Sequence, residues 1–139
     1  MHGTIAQYLT PCIDHELFHY HSLHHDPIPM GAKIGDLFAS SGVSGVDPAG
    51  GDRLQSAEGV EAQCQFGFGN IASLLKSAGR TLDNLGHMTL LVQDYADLLA
   101  IDAAWERVFP DPSNRPARQI MKLGAQGNSH VQFHALASI

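Results

Sequence analysis

The chain has 139 residues, 44% of them hydrophobic, which suits one domain with a real core and is too short for two. Its apolar runs are only a few residues long, so no segment is expected to span a bilayer, and MHGTIAQYLTPC lacks the basic-then-apolar order of a secretory leader. The net charge is −6 with neutral histidines, and the eight Lys and Arg are scattered, which argues against a phosphate-backbone binder; the expectation is a cytoplasmic protein with no nucleic-acid and no membrane partner.

In chain order, ELFHYHSL (16–23) alternates with period two and carries aromatics, which predicts a strand near 17–22. Residues 1–16 read as a variable N-terminal extension of a single domain, 1–139. Pro27 and Pro29 forbid a helix in HDPIPMG. MGAKIGDLFASSGV (30–43) follows, with a Gly35-Asp36 turn between AKI and LFASS that predicts a tight hairpin. VSGVDPAGGDRL reads as a loop. From Ser56 to Ala78 the pattern is helical: Val60, Cys64, Phe68, Ile71 and Leu75 share one face, Ser56 can cap the start, and Gly79 sits where a C-terminal glycine belongs. Gly67 and Gly69 each weaken that helix by up to ~1 kcal/mol relative to Ala, and are the places where it can approach a sheet closely.

HMTLLVQD (87–94) predicts a strand. Tyr95 to Phe109 predicts a second helix with Leu98, Ile101, Trp105 and Val108 or Phe109 on one stripe, Asp94 and Asp97 at its start, and Pro110 and Pro112 ending it. RQIMKLG (118–124) and HVQFHALAS (130–138) predict strands flanking AQGN. The order β-β-β-α-β-α-β-β implies an α+β fold, a sheet with both helices on one face. The other face then needs cover, which further copies of the chain can supply.

Two stretches invite chemistry. HYHSLHH (19–25) places four histidines in seven positions, with His19 and His21 on one strand face. No Cys, Glu or further His stands at ligand spacing, so no metal site is expected. Cys12 and Cys64 lack C-x-x-C spacing and read as reduced, structural thiols. In RPARQIMKL, Pro116 pushes Arg115 towards extended backbone and leads into a strand that begins at Arg118. A guanidinium there can project beyond the sheet edge and grip a carboxylate through two parallel hydrogen bonds; the ordinary alternative is a surface arginine paired with one of the acidic residues. Neither a G-x-S-x-G elbow nor a phosphate-binding glycine loop is present.

Four stretches, in order and spacing, resemble the Rid family (also YjgF family) of reactive-intermediate deaminases: GDLFASSGVSGVDPAGG, AEGVEAQCQFGFGNIASLLKSAGRTLDNL, HMTLLVQDYADLLAIDAAWERVF and RPARQIMKLGAQGNSHVQFHALA. The resemblance runs from about Pro27 to the C-terminus. It implies a chorismate-mutase-like fold assembled as a homotrimer, with clefts between subunits. It further implies hydrolysis of small carboxylate-bearing imines or enamines to a keto acid and ammonia, without metal or organic cofactor.

By resemblance, the family's carboxylate-binding arginine falls on Arg118, its Ser-Gly on Ser41-Gly42, and a backbone position that contacts substrate on Ile120. Two positions depart: Ile28 stands where the family has Tyr, and Gln132 where it has a water-positioning Glu. Gln can hydrogen-bond water but cannot take its proton. His134, two residues on and on the same strand face, can serve as a substitute base or as an inert polar lining residue. His24 or His25, leading into the cleft segment, can contact substrate at its mouth. A pathway-specific aminomuconate-type deaminase is a close variant. A non-catalytic trimer that binds a small carboxylate, or acts as an interaction module, is the reading from another class.

Overall fold

The polar Gly35-Asp36 turn folds β2 (Gly31–Ile34) back on β3 (Leu37–Ser40), with Gly31 opposite Ser40 and Ile34 opposite Leu37, as the sequence predicts. The computed structural model describes residues 16–18, 28–50, 57–124 and 128–138. HYHSLHH, with His24 and His25, lies outside these residues, as do Cys12 and the expected Ser56 cap. Of the first expected strand, β1 (Glu16–Phe18) is described, antiparallel to β2.

β5 (Leu85–Val92), β6 (Ala117–Lys122) and β7 (Val131–Ser138) complete a mixed sheet of order β1-β2-β3-β7-β5-β6. β7 runs antiparallel to β3 and β5, whereas β5 and β6 are parallel. Parallel neighbours need a crossover, and α2 (Leu98–Val108) supplies it. The expected element order omits one piece: β4 (Val43–Ser44), inside the predicted loop, pairs with β7 through Val43 opposite Phe133 and Ser44 opposite Gln132. Two residues are too few to show a period. Tertiary contact forms this strand: Asn70, buried in a helix, donates through Nδ2 to Ser44 O at 3.2 Å and Val46 O at 2.9 Å.

α1 (Val60–Ser77) begins four residues later than expected, after Gly59 at φ 83°. Its end is as expected. Gly79 takes φ 75°, its N–H bonds Lys76 O, and the Arg80 N–H bonds Leu75 O, the paired closure of a left-handed helix terminus. Cys64, Phe68, Ile71, Leu74 and Leu75 are buried against the sheet. At Gly67 a Cβ would overlap the ring of Phe133 on β7, so glycine brings helix and strand into contact there. Gly69 has nothing within 4 Å of a Cβ and serves no such purpose.

A Tyr95–Asp97 turn of 3-10 helix precedes α2. Asp94 caps it, accepting from the Ala96 N–H at 2.9 Å, while Asp97 instead meets His130 Nδ1 at 2.8 Å. Ile101, Trp105 and Phe109 are buried, and Phe68 joins the rings of Trp105, Phe109 and Phe133 in one aromatic cluster. Burying each such side chain is worth roughly 1.5–3 kcal/mol.

Alternation along β7 separates the two faces. Val131, Phe133, Ala135 and Ala137 are buried under the helices, while Gln132, His134, Leu136 and Ser138 point the other way. Ile34, Leu37, Met121 and Leu136 are exposed on that second face. Among the described residues no helix is long and apolar enough to cross a membrane.

Candidate active site

Arg118 stands second on β6, beside Met88 of β5, whose side chain is buried under the helices. Its side chain therefore turns towards α2 and not past the end of the sheet. Nη2 lies 2.8 Å from Oδ1 of Asp102, and the guanidinium carbon sits 5.0 Å from the centre of the Trp105 ring. Asp102 and Trp105 are three apart on α2, so one helix face presents both. The ring gives the planar cation a flat support, and the carboxylate pairs with its charge. Buried Pro116 and half-buried Ile120 flank it, and Arg115 is tethered through Nε to Phe109 O at 2.8 Å. Asp102, Trp105, Glu106, Arg115, Pro116 and Arg118 line a depression of about 300 Å³.

The two readings of Arg118 left open by the sequence thus coexist: it has an acidic partner and it lines a cavity. The Asp102 contact is an ion pair by distance but not an aligned hydrogen bond. Oδ1 is buried and accepts no hydrogen bond within the described residues.

The remaining expected residues gather elsewhere. Ser41 and Gly42 form the link from β3 to β4. The Ser41 hydroxyl donates to Pro29 O at 2.7 Å, and its N–H bonds Met30 O, which holds the segment entering β2 against this link. Exposed Ile28 adjoins that anchored Pro29. A Cβ on Gly42 would lie 3.2 Å from His134 Nε2 and 3.5 Å from Gln132 Oε1, so both β7 side chains lean over this glycine. Ser41, Gly42, Gln132 and His134 therefore form one polar group on the helix-free face. Ser40 anchors the strand next to it, accepting the Ala135 N–H at 2.9 Å.

Within one chain, β5 separates this group from Arg118, and the two lie on opposite faces of the sheet. A ligand touching both must be shared between copies. Sequence reasoning missed Asp102, gave Trp105 only a core role, and did not foresee the buried amides. Gln63 holds Ala57 O and Asn128 O through Nε2 and receives the His130 N–H on Oε1, fixing the entry to β7. A larger groove of about 750 Å³ between α1 and α2, with Cys64, Phe68 and Arg107 in its lining, contains none of the expected site residues. Among the described residues no three His, Cys, Asp or Glu side chains come together as a metal-holding group.

The sequence model of the family described as Endoribonuclease L-PSP matches residues 29–134. The chain belongs to this family. It is the YjgF/Rid family that the sequence motifs resemble, and the mixed sheet with two helices is its fold. Reactive Intermediate Deaminase A, chloroplastic, of Arabidopsis thaliana is 27% identical over 114 residues, 81% of this chain and 59% of that protein, so the chain spans under two thirds of that relative. The 2-iminobutanoate/2-iminopropanoate deaminase of Capra hircus is 31% identical over 98 residues, 70% of this chain and 69% of that one. The solved structure of the YjgF gene product from E. coli superposes with a TM-score of 0.78 at 20% identity, covering 88% of this chain and 98% of that one. At that identity the superposition speaks for the Rid fold alone.

Proposed function

We propose that this Rid-family protein is a hydrolytic deaminase of small carboxylate-bearing imines and enamines, working as a homotrimer with clefts between subunits. The observation that carries this reading is Arg118, supported on Trp105 in a depression of about 300 Å³, roomy enough for a small carboxylate. A guanidinium there holds the substrate carboxylate through paired, charge-assisted hydrogen bonds. Water adds to the adjacent iminium carbon to give a carbinolamine. Transfer of a proton to nitrogen and cleavage of the C–N bond then release keto acid and ammonia.

Ser41, Gln132 and His134 supply the polar face for that water, with Gly42 leaving room for it. Gln132 orients the water as acceptor and donor, and His134, on the same face, is the group able to take its proton. The ligand-sharing geometry and the exposed Ile34, Leu37, Met121 and Leu136 both support assembly of copies through the helix-free face. The net charge of −6 disfavours a polyanionic substrate, including the RNA that the family's description mentions. A trimer that binds a small carboxylate without turning it over is the second reading, and Gln132 in place of a carboxylate is what favours it. Enzymatically generated 2-iminobutanoate separates the two: keto-acid release above the spontaneous rate supports the deaminase, and release at that rate leaves the binder.

A further inference from the structure

A lone arginine in a cavity attracts any small anion, but Arg118 is not alone. The lining of its depression carries Asp102 and Glu106 opposite Arg115 and Arg118, so its formal charges cancel. Asp102 Oδ1 lies 2.8 Å from Arg118 Nη2, close enough that an incoming carboxylate on the guanidinium must also come near Asp102. Like charges a few ångströms apart at a half-exposed site repel, so this repulsion offsets much of the attraction that Arg118 offers. A ligand with an ammonium or iminium nitrogen next to its carboxylate escapes that penalty, because its cation faces Asp102 while its anion faces Arg118.

The ion pair is also incomplete. Oδ1 meets Arg118 at ion-pair distance without an aligned hydrogen bond, while the Asp102 side chain as a whole is half exposed and open to a ligand's donor.

We propose that Asp102 is a specificity-determining residue: paired with Arg118 it makes the site dipolar, selecting ligands that carry a cationic nitrogen beside the carboxylate over plain carboxylates of the same size. This rests on Arg118 as the carboxylate anchor, and it gives the proposed reaction a direction. An α-iminium acid fits both charges, whereas its keto-acid product fits only one and leaves.

The test is calorimetric titration of the full chain with L-alanine and with propionate, which differ by one ammonium group. Wild type should bind alanine about fivefold more tightly than propionate, the effect of one charge pair at a partly exposed site. Asp102→Asn should raise propionate affinity, lower alanine affinity and bring the ratio close to one, with Asp102→Ser as a second neutral variant. Equal affinities in wild type, or an unchanged ratio in both variants, overturn the role of Asp102. Arg118→Ala isolates the anchor: loss of both ligands supports it, and retention of propionate binding overturns it whatever Asp102 does.

Discussion

Arg118 has three neighbours of different character: an aromatic ring beneath, a carboxylate beside, and a proline two residues before that steers the strand. Replacing it with Lys keeps the charge but loses the planar fork, so Arg118→Lys should raise KM at least tenfold in the proposed deamination, since paired hydrogen bonds are lost; an unchanged KM would show that charge alone suffices. Gln132→Glu restores a proton acceptor over Gly42, and should raise kcat about tenfold or more, within the range of a well-placed general base. If kcat does not move, His134 or the substrate already supplies that step. Burial pushes the Cys64 thiol up from 9.0 to about 11, Arg107 opposing this and Asp97 and Glu61 adding to it. Because the folded value is the higher one, the folded state holds the proton more tightly. Its contribution is present below pH 9 and lost as pH rises towards 11. In a Cys12→Ser background, Cys64 should therefore resist thiol reagents in the folded protein at pH 8 and react once it is unfolded, and stability should fall across that alkaline window. The motif Pro116-Ala117-Arg118 made the arginine legible in sequence. Asp102 was not, because its meaning depends on a helix face meeting a strand sixteen residues later.

At the scale of elements, the helix and strand periods were readable wherever a run exceeded about one turn or one alternation. The hairpin at Gly35-Asp36, the stripe of α1 and its Gly79 terminus all followed from local chemistry. What escaped was set by packing: the two-residue β4 exists because Asn70 and β7 hold it, and the late start of α1 follows Gly59. The paired glycines of α1 show the same contrast. Sequence treats Gly67 and Gly69 alike, but the Phe133 ring occupies the space beside only one of them. Gly67→Ala should destabilise by about 1–3 kcal/mol through overpacking, whereas Gly69→Ala should stabilise by up to ~1 kcal/mol through helix propensity. Urea titration of the two variants reads both signs, and equal effects would mean that α1 and β7 can separate at no cost.

At the scale of the molecule, one chain leaves the proposed site divided: Arg118 under the helices at β6, and Ser41, Gln132 and His134 on the helix-free face around β7. The sequence foretold the helix-free face from element count alone, although it could not foretell that the face would divide the expected residues. Leu136→Glu, placing a charge beside Leu37 on the helix-free face, should convert the proposed trimer into monomers by light scattering and abolish turnover while leaving the helical signal intact. A monomer that keeps full activity would contradict a shared cleft.

The most direct test is the rate of keto-acid release from 2-iminobutanoate, generated in place, with wild-type and Arg118→Ala protein side by side. Wild type should exceed spontaneous hydrolysis, and Arg118→Ala should fall at least about a hundredfold, the cost of a lost bidentate anchor. Equal rates in the two proteins, or a wild-type rate no higher than in buffer, would contradict the account.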